Sequence, residues 1–407
     1  MKRLILLTIF LLPTVFPCLA FGQTDVSGNQ SGTWTAGNSP YRVTGHVTVP
    51  SGQTLNIEPG VEINFQGHYK LNVLGDLQAI GTENAMIVFT TDTPATGWGG
   101  LRVDTNDIIR LEYCRIEHGF ATGDYPDQHG GAMALLGSDA TVENCIFADN
   151  EAHDNDGGMG GAIYAINTTA TSFSNCIFIR NHCYGEGGAI KFTGDSNTQI
   201  TDCQFIENNC NYGGGAVSLY GAAGTTMRGS TFVDNYTMFS SGGAIHTLGF
   251  SNVLYVVNCT ITENSAVTGD GGAVYLAYAD AYFVNTIIFD NPGMYSDDLF
   301  VGMASSAEVY YSNMPMPADA TGHHNINADP QFVDSENHDL NLLETSPCID
   351  SGVAYLVAGG ETLVDLAPSE YSGAAPDIGA FENVSLVFGD GFEMGDTSIW
   401  SVTTPDP

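Results

Sequence analysis

The stretch GGAIYAI, at residues 160–166, is one copy of an element that recurs along the chain and decides its fold. In each copy two glycines precede an alanine and then an apolar residue. Successive copies are separated by 30, 27, 27, 28 and 29 residues. A period of this length is typical of proteins built from stacked repeats. The second glycines of the six copies are Gly131, Gly161, Gly188, Gly215, Gly243 and Gly272.

A second element follows each copy at a nearly constant distance. It reads NCIF at residues 144–147 and 175–178, and DCQF at residues 202–205. A weaker copy of both elements lies upstream, at residues 98–101 and 113–116. The runs are of β type and are separated by Gly, Asn and Asp, without a segment of helical period. Each run ends in an asparagine, at Asn150, Asn181, Asn208, Asn235, Asn264 and Asn291.

Short strands that repeat in this way cannot bury an apolar face alone. When the units stack, each coil covers the next, and their backbones pair as parallel strands with a rise of about 4.8 Å per coil. We therefore expect an all-β fold, a single-stranded parallel β-helix (a solenoid) with roughly ten or more coils. Equivalent residues of successive coils should then form columns along one axis.

Alternation along the strand predicts which side chains point outward. In the copy at residues 160–166, Ile163 and Ala165 should face the core and Tyr164 should face outward. The outward column is a candidate ligand-binding stripe, because tyrosine can stack on a sugar and polar side chains can bond its hydroxyls. Outward strand positions also favour Tyr, Lys and Ser in the absence of any ligand. The stripe comprises Arg102, Tyr164, Lys191, His246 and Tyr275.

Two kinds of polar or sulfur-containing column are also predicted. We expect each run-ending asparagine to adopt a left-handed backbone and to bond its amide to the equivalent amide one coil away. Cys183 and Cys210 each lie two residues after such an asparagine, in neighbouring coils, and are a candidate disulfide. The cysteines of the NCIF-type element form a second column, which should hold buried free thiols. Stacked cysteines point the same way and have poor geometry for a disulfide. The members of this column are Cys114, Cys145, Cys176, Cys203 and Cys259.

The pattern divides the chain into five segments. Lys2 and Arg3 precede an apolar run that ends in small residues, which is typical of a secretory signal peptide. No later stretch has the length and apolarity of a membrane helix. We therefore expect a chain that is secreted or displayed on the outer cell surface, with no transmembrane segment after cleavage. The segments are the signal peptide at 1–22, an N-terminal cap with the first coils at 23–97, the regular repeats at 98–300, the last coils and closure at 301–383, and an acidic tail with a candidate sorting motif at 384–407.

The charge of the chain limits its partners. Ten Lys and Arg residues face 46 Asp and Glu residues, which gives a formal net charge of −36 at pH 7. Such a protein repels nucleic acid and other polyanions. The partners that we expect, from the repeats and the family resemblance given below, are an extracellular or cell-wall glycan, or the surface of a host or neighbouring cell.

At the level of the GGA-apolar and Phe-x-x-Asn elements, the repeats resemble those of polymorphic outer-membrane proteins. Phe147–Asn150 and Phe178–Asn181 carry the second of these motifs. More broadly, the chain resembles the pectate-lyase-like superfamily of right-handed parallel β-helices, and this resemblance implies a right-handed coil. Polymorphic outer-membrane proteins resemble autotransporters, which have a long C-terminal membrane barrel, whereas only about 100 residues follow the repeats here.

A lyase acting on uronates would need a base and a cation that stabilises the developing charge. The candidate bases are Lys191 and Arg180. No cofactor is required by the sequence, but Ca²⁺ is a candidate, because acidic residues lie in the turns before the glycine pairs of consecutive coils. Acidic residues that simply face water are the alternative. The candidate Ca²⁺ ligands are Asp124, Asp127, Asp154, Asp156 and Glu186.

The leading hypothesis is a non-catalytic extracellular β-helix that acts in adhesion or glycan contact. Its alternative is an extracellular polysaccharide lyase or glycoside hydrolase acting on acidic glycans. Hydrolysis needs two carboxylates that flank the bond, but pairs are inevitable among 46 acidic residues and carry no information. The set of motifs found in polygalacturonase-like enzymes is absent as a set.

Overall fold

Parallel pairing of equivalent strands, one coil apart, runs through the repeats as the sequence predicts. Ile163 pairs with Ile190, and Ile190 pairs with Val217. The computed structural model describes residues 23–153, 157–296 and 298–383, and these form a right-handed parallel β-helix of about ten coils. The predicted signal peptide at 1–22 and the tail at 384–407 lie outside the described residues.

The strand that follows each glycine pair builds the first sheet. Its rungs pair in register from the N-terminal end to the C-terminal end. The long strand Tyr41–Val49 supplies its first full rung and also pairs with the third sheet, so that it joins the two. The other strands of the first sheet are Leu71–Val73, Leu101–Val103, Met133–Leu136, Ile163–Ile166, Ile190–Thr193, Val217–Tyr220, Ile245–Leu248, Val274–Leu276 and Leu299–Val301.

The second sheet lies on the next side of the coil and is also parallel throughout. Its apolar positions, such as Val142 and Phe173, face the common core. Its strands are Gly32–Trp34, Thr54–Ile57, Asp76–Ile80, Ile109–Glu112, Thr141–Glu143, Ser172–Ser174, Gln199–Thr201, Thr225–Arg228, Asn252–Val257, Ala279–Val284, Ser306–Tyr310 and Ala320–His323.

The third sheet carries the Cys-x-Phe element, and a short fourth sheet follows it. The N-terminal strand Thr24–Asn29 pairs with Tyr41–Val49. The strands of the third sheet are Glu62–Phe65, Ile87–Thr91, Cys114–Glu117, Ile146–Ala148, Ile177–Ile179, Gln204–Ile206, Thr231–Val233, Thr260–Thr262 and Ile287–Phe289. Those of the fourth sheet are Phe120–Ala121, Glu151–Ala152, His182–Cys183, Asn209–Cys210, Tyr236–Thr237 and Ser265–Ala266.

The glycine pair shapes the turn into the first sheet. The first glycine has a positive φ, for example +74° at Gly187. A β-carbon on the second glycine, Gly188, would lie against the carbonyl oxygen of Gly215 and 2.6 Å from the backbone nitrogen of Asn209. Glycine is therefore required for two different reasons, backbone conformation at one position and coil-to-coil approach at the next.

The run-ending asparagines form the predicted ladder. Asn181 Nδ2 donates to Asn208 Oδ1 at 2.9 Å, and Asn208 Nδ2 donates to Asn235 Oδ1 at 2.9 Å. The prediction of a left-handed backbone at these positions is wrong, because the positive φ belongs to the preceding residue, such as Arg180 (52°) or Glu207 (55°). The left-handed residue turns the chain, and the buried asparagine that follows then satisfies the backbone groups of the corner.

The cysteine column is buried as predicted, and its cysteines are free. It continues in hydroxyl residues that the sequence reasoning missed: the backbone N–H of Cys203 donates to Ser230 Oγ at 3.1 Å. Beside it, the phenylalanine rings stack in parallel, with centroids 4.8 Å apart for Phe178 and Phe205 and 4.6 Å apart for Phe205 and Phe232. Each such ring pair adds roughly 0.5–1.5 kcal/mol beyond the burial of its area.

The C-terminal segment does not continue the coils to the end of the described chain. After the last parallel strand, it forms two antiparallel pairs and folds back along the side of the helix. Leu363 and Val364 pack on Val257 and Val284 of the second sheet, and other residues pack on Ile287 of the third sheet. The paired strands are Phe332–Asp334 with Asp339–Leu342 and Tyr355–Ala358 with Glu361–Asp365, and the 3₁₀ helices of the described residues are Ala36–Asn38 and Ser335–Asn337.

Candidate functional site

The predicted stripe is one column of the first sheet. Tyr164 pairs with Lys191, and His246 pairs with Tyr275. The side chains alternate with core residues and point outward, but burial differs from the expectation of an exposed column. Arg102, Tyr164, Lys191 and His246 are 2–6% exposed. The turns that carry the glycine pairs fold over this part of the face, and alternation along a strand gives no sign of such a cover.

A buried polar network lies beneath these turns. Lys191 Nζ forms an ion pair with Glu186 and donates to Ser218 Oγ at 3.1 Å. Ser218 Oγ donates in turn to Glu186 Oε2 at 3.0 Å. Burial raises the pKa of Glu186, but the charges of Lys191 and His246 and two hydrogen bonds outweigh it and hold that pKa below its usual value. The carboxylate therefore stays ionised and fixes the lysine in place.

His246 occupies the next rung of this network. Its ring stacks on Tyr275, with centroids 5.2 Å apart and planes inclined by 18°. Burial lowers the pKa of His246 to about 4, with Glu186 opposing that shift and Lys191 reinforcing it. Tyr275 stacks on Phe300 in the same way, at 5.1 Å. The facing sides of these three rings are thus covered by one another.

A second ion-pair network involves the candidate calcium ligand Asp127. Its carboxylate pairs with Lys70, and Arg102 Nε lies 3.6 Å from Asp127 Oδ1. Burial lowers the pKa of Arg102 to about 10, against the effect of Asp127. Tyr164 is covered by the same turn, because its ring stacks on that of His129 with centroids 4.4 Å apart.

The candidate calcium ligands that the structure describes differ in their surroundings. Asp127 and Glu186 are held by basic side chains, and Asp124 is exposed in the turn before them. Asp154 and Asp156 lie outside the described residues. Within the part of the chain that the structure describes, no group of three or more His, Cys, Asp or Glu side chains is placed to hold a metal ion. Calcium binding stays a prediction.

The two candidate bases are both engaged. Arg180 forms a two-pronged pair with Asp149, at 2.8 Å from Nε and 2.9 Å from Nη2, and this hydrogen bonding raises the pKa of Arg180. Lys191 is buried in its pair with Glu186. Neither group is placed to accept a proton from an external substrate.

The predicted disulfide between Cys183 and Cys210 is absent from the structure, where both are free thiols. They are direct partners on adjacent rungs of the fourth sheet and form a small buried cluster with Ala121 and Ala152. Their side chains stack in parallel, as in the other cysteine column, so the objection to a disulfide there applies here too.

Exposed aromatic and apolar side chains mark a different part of the first sheet, which the sequence reasoning missed. We call it the open face: the turns and strand ends that enter and leave the first sheet between residues 212 and 303. Phe239 is 60% exposed, and Phe250 and Tyr295 are each 76% exposed. The large exposed apolar residues of this range all lie at these turns and strand ends: Tyr212, Tyr220, Met238, Phe239, Phe250, Val267, Met294, Tyr295 and Met303.

The C-terminal segment explains why this face is the accessible one. It covers Tyr255 and Tyr282 of the second sheet and Phe289 of the third sheet over the same coils. Among the described residues, the exposed side chains of the open face do not belong to these clusters. A cluster of exposed apolar side chains beside an otherwise covered surface is typical of an interaction site.

A comparison with family models agrees with the fold. Residues 86–288 match the family model described as a right handed beta helix region. Among solved structures, the crystal structure of pectate lyase Pel9A aligns over 82% of this chain and 88% of that chain, with 15% identity and a TM-score of 0.39. No curated protein matches. The likeness of the repeats to those of polymorphic outer-membrane proteins stays a prediction.

Within the described residues, no helix has both the length and the apolar character needed to cross a membrane.

Proposed function

We propose that this protein is an extracellular, non-catalytic β-helix that contacts glycans through its open face. The observation that carries the proposal is the set of exposed rings and apolar side chains in the turns on the two sides of the first sheet, over successive coils. Tyr212 and Phe239 are on neighbouring coils, with ring centroids 6.2 Å apart and planes tilted by 45°. Tilted and exposed rings leave faces free, unlike the stacked rings of the buried column.

A glycan suits this surface better than the apolar surface of a partner protein. Isolated rings separated by polar turns can stack on successive sugar units. The sugar hydroxyls can bond to the polar groups between the rings. The repeat of the coils, about 4.8 Å, places such contacts along a line. The net charge of −36 favours a neutral polysaccharide over a polyanionic one.

The candidate bases of the lyase alternative have carboxylate partners within the protein. Arg180 and Lys191 are both held by carboxylates, and the described residues provide no cluster for a catalytic cation. Binding without turnover is the function that this arrangement supports best.

A glycan array probed with the secreted protein tests the proposal, followed by affinity measurement on the best ligand. Replacing Phe239, Phe250 and Tyr295 together by serine should weaken binding by at least about tenfold, because three stacking contacts are lost. Ile108 (61% exposed) and Tyr355 (62% exposed) lie away from the open face, and serine at both provides the matched control. Undiminished binding by the triple variant, or equal loss in the control, would contradict the proposal.

A further inference from the structure

Arg228 differs from the other basic residues of the described chain. Eight Lys and Arg residues lie there, and seven of them form ion pairs with Asp or Glu. Within the described residues, Arg228 has no carboxylate oxygen within the 4.0 Å of an ion pair, although acidic residues outnumber basic ones more than fourfold. With the residues that the structure describes, it forms one hydrogen bond, from Nη2 to the carbonyl oxygen of Leu363 at 2.7 Å.

This arginine lies in a cleft of about 350 Å³ between the second sheet and the C-terminal hairpin. Gln199, Thr226 and Tyr255 are consecutive rungs of one outward column and form its floor. Arg228 lies two residues after Thr226 on the same face. Glu361, Thr362 and Leu363 of the hairpin form the wall, and Asn197 and Gly224 close the side at the turn.

The lining defines the chemistry of a ligand. A guanidinium group whose second edge is unoccupied matches a carboxylate, with which it forms two parallel hydrogen bonds. The amides of Asn197 and Gln199 and the hydroxyl of Thr226 can donate to and accept from sugar hydroxyls. The strongly negative chain and the nearby Glu361 exclude a ligand of high negative charge.

We propose that this cleft binds a sugar that carries a single carboxylate, with the carboxylate on Arg228 and the hydroxyls on Asn197, Gln199 and Thr226. The site is separate from the open face and takes a ligand of different charge. It is formed only because the C-terminal segment folds back on the second sheet, so its wall comes from residues more than 100 positions away in sequence.

Titration calorimetry of the full chain with methyl glucuronide, methyl glucoside and acetate tests the site. We expect the glucuronide to bind at least about tenfold more tightly than either of the others, because only it offers both carboxylate and hydroxyls. Equal binding of the glucoside would show that the carboxylate contact with Arg228 contributes nothing. Equal binding of acetate would show that the sugar hydroxyls contribute nothing. Either result would overturn the proposal.

Variants give the assignment to residues. Arg228→Gln should lower glucuronide affinity at least about tenfold, and Glu361→Gln should raise it, because a repelling charge is removed. Arg42→Gln, distant from the cleft, is the charge-matched control. Because Arg228 also bonds the hairpin, Arg228→Lys keeps the charge and should retain part of the affinity. Unchanged affinity in Arg228→Gln, or loss in Arg42→Gln, would contradict the proposal.

The open-face triple variant separates this proposal from the preceding one. It should bind glucuronide as the natural protein does, whereas Arg228→Gln should leave binding to the array glycan intact. The two variants therefore test the two proposals independently, and either proposal can fail while the other holds.

Discussion

The side chain of the ladder asparagine Asn208 makes four hydrogen bonds. Asn208 Oδ1 accepts from the backbone and side-chain nitrogens of Asn181, while its Nδ2 donates to Phe178 O and to Asn235 Oδ1. These bonds lie in a buried corner, where an unpaired donor or acceptor carries its full desolvation penalty. The recurrent asparagine is therefore a structural residue that connects consecutive coils.

Replacing Asn208 by alanine should lower the free energy of unfolding by about 3 kcal/mol, since several buried groups lose their partners at once. Urea unfolding followed by circular dichroism measures it. Asn106 is exposed, and Asn106→Ala should change the midpoint little. Equal effects of the two substitutions would contradict the role of the ladder.

His246 should make stability depend on pH. Because its pKa falls from 6.5 to about 4 on folding, the unfolded chain binds a proton between these values that the folded chain does not. The free energy of unfolding should therefore decrease as the pH falls from about 6.5 to about 4. In His246→Phe, which keeps a ring against Tyr275, this part of the pH dependence should disappear.

Thermal unfolding between pH 4 and 7 measures the difference between the two proteins, which removes the contribution of the many carboxylates they share. His324→Gln, at an exposed position, is the control and should retain the slope of the natural protein. A slope that His246→Phe leaves unchanged would show that another group is responsible.

At the scale of the element, the glycine pair shows why the coil could be predicted from the sequence. Its spacing fixes where each strand of the first sheet begins, and the register observed is the one expected. The left-handed position was misplaced by one residue, because asparagine often adopts that conformation and the αL residues here are as varied as Arg180 and Glu207. The intrinsic tendency of asparagine to adopt the αL conformation therefore does not set its position here. The buried corner requires an amide side chain that satisfies its backbone groups.

The second glycine gives a sharp test of coil stacking. Gly188→Ala should cost more than about 4 kcal/mol or abolish folding, because the methyl group would meet the backbone of the next coil. Gly137→Ala is the matched control: this glycine has a positive φ of 66°, but no atom lies within 4 Å of an added β-carbon. It should cost only about 1 kcal/mol. Equal unfolding midpoints for the two variants would contradict the stacking argument.

At the scale of the whole molecule, the repeat predicts the helix but not its covering. The antiparallel hairpin Tyr355–Ala358 with Glu361–Asp365 has no counterpart in the repeats, and its position depends on Tyr255, Val257 and Val284, which are remote in sequence. Likewise, Arg102 and Lys191 belong to a stripe that was predicted to be exposed. Because turns cover them, they are buried and form ion pairs instead. The accessible surface is therefore set by tertiary folding of irregular segments.

The central claim is that this molecule binds a glycan without cleaving it. The most direct measurement incubates the protein with a glycan that it binds and follows chain length by size-exclusion chromatography, together with ultraviolet absorbance of unsaturated ends. We predict bound glycan of unchanged length and no new absorbance. Shortened glycan, with shortening abolished by Lys191→Ala, would contradict the account.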